Sequence, residues 1–296
     1  MGKIAFVTDS NSGITQEQGE ALGVSVIPMP FYIDDQLYFE GINLSQEEFY
    51  HKLEHDAKIS TSMPAPGDVI DLWKKLLADH DQIIYIPMSS GLSSSCQTAR
   101  MLAEDEFAGK VFVVNNQRIS VTQRQSILDG MELARRGMDA REIQEYLERT
   151  RFDSSIYITV DTLTYLKRGG RITPAAAAIG TLLRIKPVLQ IQGEKLDSFA
   201  KCRTTKHAQE TMLAAVDKDL KERFGLADHP EDAVIAGAYT CGPEEAQKWI
   251  DEVKSVYPDH DVHFDPLSLS IACHIGPGST AVTISRRLPD DVGRQK

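Results

Sequence analysis

The stretch QIIYIPMSSGLSSS, residues 82–95, decides the architecture. After Gln82, its next five residues form a short apolar run rich in isoleucine. Its remainder is a serine-rich loop that opens an amphipathic segment over residues 93–104. An apolar run without polar alternation reads as a strand buried on both faces, and such strands belong to parallel sheets covered by helices. Working outward, the same unit recurs. Strands are expected at IAFVT (4–8), VSVIPM (24–29) and KVFVV (110–114), with a helix over 67–78. Two helices then follow in succession, over 120–136 and 139–150. Gly137 stops the first and Asp139 caps the second.

Strands resume at SSIYITV (154–160), which puts a domain boundary near Phe152. The sequence therefore divides into an N-terminal α/β domain over 1–152 and a C-terminal α/β domain over 153–296. The second half predicts a short helix within TYLKRGG and an alanine-rich helix over 173–183. Strands follow at 187–192 and 195–201, then a helix over 205–224. AVIAGAY (233–239), a helix from Pro243, and strands near 261–264 and 281–286 complete it.

The 296 residues are 42% apolar and 25% charged, which is the balance of a globular protein with a sizeable core. The net charge of -11 excludes a general nucleic-acid binder, because a phosphate backbone needs basic surface. Basic character is local, as in LKRGGR (166–171). The four cysteines are scattered without a CxxC, so they read as reduced thiols rather than a zinc site or a disulfide framework. The chain runs into a strand at once, with no signal peptide and no apolar run long enough for a bilayer. A cytoplasmic protein is expected, with no stable membrane insertion and at most transient membrane contact.

Ligands of open parallel sheets sit beyond the carboxyl ends of the strands. TDSNSG follows the first strand, and MSSGLSSS follows QIIYIP. Serines at a helix start either cap free N–H groups and do nothing more, or present donors to an anion at the positive end of the helix dipole. The stretch ISTSMPAPGD (59–68) sets Ser60, Thr61 and Ser62 before a proline-stiffened corner. Turn N–H groups account for one or two of those hydroxyls more easily than for three. HIGPGST (274–280) reads as a glycine-supported turn holding His274. The small residues of TPAAAAIGTLL either allow close helix packing or leave room for a long apolar ligand. No Walker loop, no GxGxxG after the first strand, no HExxH and no GxSxG occurs, so no nucleotide, metal or other cofactor is implied.

Taken together, VTDS (7–10), TSMP (61–64), SSGLSSS (89–95), YLKRGGRI (165–172), IKPVLQIQGEKL (185–196), Arg203 and HIGPG (274–278) resemble the DegV family of bacterial fatty-acid-binding proteins. Their order over more than two hundred residues carries the resemblance. It implies two α/β domains, an N-terminal parallel sheet flanked by helices and a C-terminal mixed sheet, with a lipid enclosed between them. It implies a carrier, not an enzyme. The partners are a long-chain fatty acid and a separate ATP-dependent fatty acid kinase, which makes an acyl phosphate for phospholipid synthesis. Carried over residue by residue, Thr61 meets the carboxylate, Ser93 is a second donor and His274 completes the network. Ser62 and Ser95 join the set by their hydroxyls, while Ser60 and Ser62 also secure the turn. Arg171 and Arg203 serve electrostatic guidance or kinase contact, with Arg203 the better candidate for the kinase surface. Met63 stands where the family often has Gln, Ser94-Ser95 where it has Gly-Thr, and VVNNQRIS (113–120) where it has an acidic-serine loop. These departures bear on chain-length preference rather than lipid class. The residues alone also fit a second reading, a small-molecule phosphotransferase or hydrolase related to dihydroxyacetone kinase, using Asp9, His274 and the serine loops.

Overall fold

The computed structural model describes residues 2–54, 57–179 and 185–293. The chain forms two compact units, Met1–Arg151 with Pro289–Lys296, and Phe152–Leu288. The return of the C-terminal segment to the first unit is a feature for which the expected 153–296 domain made no provision. Arg136 holds it there, donating from Nη1 to the carbonyls of Pro289 at 2.6 Å and Val292 at 2.9 Å. Such a long-range bond leaves no local trace in the sequence.

The first unit runs β1 (Ile4–Asp9), α1 (Gln16–Leu22), β2 (Val24–Ile27), β3 (Pro30–Ile33), β4 (Gln36–Phe39), α2 (Gln46–Glu54), β5 (Ile59–Thr61), α3 (Pro66–Leu76), β6 (Gln82–Ile86), α4 (Ser95–Glu106), β7 (Val111–Val113), α5 (Val121–Arg135) and α6 (Ala140–Arg149). Its main sheet has the order β2-β1-β6-β7 and is parallel throughout. The apolar runs that predicted these strands are buried as expected: Val7, Ile83, Ile84 and Val113 are all inaccessible or nearly so. One face is covered by α3 and α4, where Trp73 packs edge-on against Tyr85 and Phe107 among Val7, Val69, Ile83 and Ala99. Asp139 caps α6 in a reciprocal box with Glu142.

A second, three-stranded antiparallel sheet of order β4-β3-β5 was not foreseen. Asp34 and Asp35, both at positive φ, make the two-residue turn between β3 and β4. The residues after Ile27 leave the parallel sheet because Pro28 and Pro30 lack the N–H a continuing strand needs.

The second unit runs β8 (Ser154–Thr159), α7 (Thr164–Gly169), α8 (Pro174–Ile179), β9 (Lys186–Ile191), β10 (Asp197–Cys202), α9 (Thr205–Lys218), β11 (Ala233–Tyr239), α10 (Pro243–Val256), β12 (His263–Pro266), α11 (Leu269–Ile275) and β13 (Thr280–Arg286). Its six strands have the order β10-β9-β8-β13-β11-β12, antiparallel except for the parallel pair β11–β12. The core beneath α9 and α10 gathers Met212, Val216, Trp249, Val253, Val282 and Ile284. The helix expected over 205–224 gives way after Lys218 to a π turn over Asp219–Arg223. Of the alanine-rich helix expected over 173–183, residues 180–184 lie outside the described residues.

Candidate functional site

In the first unit the sheet order places β1 beside β6, with β2 and β7 on opposite sides. The direction of winding therefore reverses between β1 and β6, which is where open α/β sheets leave a crevice at their carboxyl ends. TDSNSG leaves β1 at that point and MSSGLSSS leaves β6. A carboxylate links them. Asp9, fully buried, accepts from Met88 N at Oδ2 (2.9 Å), and from Asn11 N (3.0 Å) and Gln123 Nε2 (3.2 Å) at Oδ1. Burial pushes its pKa up to about 6, against the pull of these donors. With both oxygens engaged by the protein, Asp9 holds the loops; this commitment weighs against its use as an attacking or proton-transferring group.

The loop over 88–95 folds back on itself. Leu92 N and Ser93 N both donate to Ser89 O, at 3.0 and 3.1 Å, and Ser89 N donates to Arg118 O at 2.9 Å. Asn115 Nδ2 donates to Ser90 Oγ at 2.9 Å, and Asn116 Nδ2 to Ser126 Oγ at 2.7 Å, so both asparagines serve the scaffold. The helix begins later than the sequence suggested. Ser93 lies in the turn before α4, half-buried, and its Oγ accepts from Ser95 N at 3.2 Å. Accepting leaves the Ser93 hydroxyl proton to be donated elsewhere. Ser95 is buried, and its Oγ has no partner among the described residues. It lines a small cavity of about 10 Å³ with Met63, Pro64, Val69, Tyr85 and Leu102. That space admits one water-sized group, not an acyl chain.

Ser60 and Thr61 stand before the proline corner, on a strand. They belong to β5, in register with Tyr32 and Phe31. Neighbouring strand residues point to opposite faces. Thr61 is half-buried, whereas Ser60 and Ser62 are exposed. Ser62 N donates to Pro30 O at 3.2 Å, and Ser62 Oγ to Met63 O at 3.2 Å. The pleat thus separates Thr61 from its two neighbours.

In the second unit, two motifs separated by a hundred residues meet. His274 lies in the last turn of α11 rather than in a glycine-supported loop, half-buried. Burial, and secondarily the charge of Arg171, lower its pKa to about 4, so the imidazole is neutral near pH 7. Gly169, at the end of α7, makes room for the ring: a Cβ there would fall 2.1 Å from His274 Nδ1. Gly276 follows the helix at φ 77°, ψ 178°, and a Cβ on it would fall 2.3 Å from Tyr165 Cδ2. Arg171 Nη1 donates to Gly169 O. The structure therefore brings Arg171 and His274 into one niche. Arg203 stands apart from that contact, exposed just after β10 and before the Thr204 cap of α9.

The residues underrated in sequence are Asp9 and Gly169. A carboxylate ending an otherwise apolar strand was a signal for Asp9. For Gly169 nothing local distinguished a ring's niche from a helix stop. Among the described residues, no group of three or more His, Cys, Asp or Glu is arranged to hold a metal ion. Nor is any helix among them long and apolar enough to cross a membrane.

Residues 3–287 match the sequence profile of the DegV family, described only as uncharacterised proteins. The chain belongs to the DegV family. It is 31% identical over 282 residues to a DegV domain-containing protein of Deinococcus radiodurans, covering 95% of this chain and 98% of the relative. Its fold is similar to that of a Thermus thermophilus DegV family protein described for fatty acid binding, with a TM-score of 0.85 and 29% identity over 96% of this chain and 99% of that one. A Bacillus subtilis DegV, described as a fatty acid binding protein, has a TM-score of 0.84 and 29% identity, covering 97% of this chain and 100% of its own. The two-domain α/β architecture, parallel in the first unit and mixed in the second, is the DegV architecture.

Proposed function

We propose that this DegV-family protein binds a long-chain fatty acid and presents its carboxylate to a separate ATP-dependent kinase. The observation that carries the reading is the likeness, along nearly the whole chain, to the Thermus and Bacillus proteins described as binding fatty acids. The local chemistry agrees with it. Burying about 15 methylenes at ~0.8 kcal/mol each supplies on the order of 12 kcal/mol before ordering costs. The head group must then be paired, because an unpaired buried carboxylate costs several kcal/mol.

In this reading Thr61 and Ser93 are the principal donors of the first unit, with Ser95 and Ser62 as the further hydroxyls. His274 is proposed as a further carboxylate-binding residue. All are uncharged near neutral pH, His274 because burial keeps it so. A carboxylate held by neutral donors keeps more nucleophilic character than one locked to a guanidinium. It therefore suits attack on a γ-phosphate that the kinase and its metal ions supply. The chain acts as a lipid-binding subunit in the cytoplasm and not as an enzyme. Exposed Arg203 is the proposed kinase contact, and Arg171 tunes the His274 niche and guides the anion.

The test is to denature the purified protein and identify the released small molecules by mass spectrometry. One long-chain fatty acid per chain supports the carrier. A phosphorylated metabolite, or ATP turnover by the chain alone, refutes it. Addition of a fatty acid kinase with ATP then reports acyl phosphate directly.

A further inference from the structure

The Asp9–Ser10 step at the end of β1 reaches both hydroxyl-bearing segments of the first unit. Asp9 Oδ2 accepts from Met88 N, the first residue of the loop that carries Ser93 and Ser95. One residue on, Ser10 Oγ accepts from Met29 N at 3.0 Å. Met29 leads directly into β3, whose Pro30 O accepts from Ser62 N and whose Phe31 is in register with Thr61. From one strand end, one route of hydrogen bonds runs to Ser93 and another to Thr61. Gln123 of α5 locks the junction, its Nε2 donating to Asp9 Oδ1, to Thr8 Oγ1 at 3.1 Å and to Ile86 O at 3.1 Å.

We infer that Asp9 and Ser10 are positioning residues that hold Thr61 and Ser93 at a common carboxylate, an inference that rests on the fatty-acid reading above. The choice of side chain at position 9 supports it. A carboxylate accepts at both oxygens, and here Oδ1 takes Asn11 N and Gln123 while Oδ2 takes Met88 N. Asparagine, isosteric but with a single acceptor oxygen, must turn its NH2 toward one of these N–H groups. Only the ionised acid serves both loops, and burying it among neutral donors is costly. A fold selected for stability alone would avoid that cost. The titratable groups that feel Asp9 are Tyr85 of β6 and Cys96 of α4, and burial keeps both protonated at neutral pH. The loop therefore depends on the charge state of Asp9, which changes near pH 6.

The experiment compares the full-length protein with Asp9→Asn, Ser10→Ala and a control, Asp81→Asn. The control takes the charge from a chemically similar acceptor, Asp81 Oδ2, which accepts from Lys3 N at an exposed position. Oleate is the probe. At pH 7.5, Asp9→Asn is expected to weaken oleate binding about tenfold and Ser10→Ala a few-fold, as expected for one hydrogen bond each, stronger where it is charged. Asp81→Asn leaves binding unchanged. Hydrogen exchange accelerates over residues 88–95 in Asp9→Asn and over 29–31 and 59–62 in Ser10→Ala, with β11 unaltered in both. The gap in affinity between wild type and Asp9→Asn closes as pH falls through 6, because wild-type Asp9 then carries its own proton; the ionisation of oleate cancels in that ratio. Equal affinities, a gap independent of pH, or faster exchange throughout the first unit overturns the inference. If wild-type protein takes up no oleate, the fatty-acid reading falls, and the segment-specific exchange alone decides whether the junction positions the two loops.

Discussion

In the first unit an acid, Asp9, lies fully buried at the end of a parallel strand. In the second a base, His274, lies half-buried in the last turn of a short helix. Asp9 is held by neutral donors on both oxygens. His274 is accommodated by what is missing, the side chain of Gly169. Burial drives both toward the neutral form, raising the acid to about 6 and lowering the base to about 4. One unit organises its candidate site by hydrogen bonds across a switch point, the other by packing two glycine-containing motifs against each other. The first should fail gradually when bonds are removed; the second should fail abruptly when volume is added.

Gly276→Ala is the strongest test of that contrast. Its backbone angles belong to a region that only glycine occupies readily, and the new methyl would overlap Tyr165. A loss of about 3 kcal/mol or more is expected by chemical denaturation. Gly169→Ala displaces the His274 ring and should cost about 1–3 kcal/mol together with a clear loss of oleate affinity. A normal melting curve for Gly276→Ala would break the comparison.

The pH dependence of stability has opposite signs in the two units. His274, depressed from 6.5 to about 4, adds stability above pH 6.5 that is lost as pH falls toward 4, up to about 3 kcal/mol. Asp9, raised from 3.8 to about 6, favours the fold most below pH 4, and that favour is lost as pH rises through 6, again about 3 kcal/mol. His274→Gln should flatten the acid-side decline measured between pH 4 and 6.5. Asp9→Asn should flatten the opposing trend between pH 4 and 6. If either substitution leaves its limb unchanged, the assigned cause is wrong for that unit. The smallest effect belongs to Arg203→Ala. Its exposure predicts a stability change within ~0.5 kcal/mol and normal oleate uptake, with acyl-phosphate formation by the kinase reduced.

Much of this was legible in the residues, for identifiable reasons. β1, β6 and β7 are buried on both faces, so they appear as unbroken apolar runs. Asp139 and Glu142 stand at the spacing of a capping box. The antiparallel sheet that holds Thr61 was not legible, since Phe31 pairs with Thr61 across thirty residues and no local pattern records that register. Nor was α11, whose residues Leu269 to Cys273 are all buried and therefore show no helical alternation. For the candidate site, the hydroxyls could be nominated from their loops. Which of them the pleat turns inward required the strand.

The most direct measurement is an oleate titration by calorimetry of wild type against the double variant Thr61→Val, Ser93→Ala. Valine preserves the β-branched shape in β5, and alanine suits the turn before α4. The account predicts stoichiometric binding by wild type, and about 100-fold weaker binding by the double variant, one lost hydrogen bond to the carboxylate per site. Equal affinity in the two proteins would contradict it, because the carboxylate would then be held elsewhere.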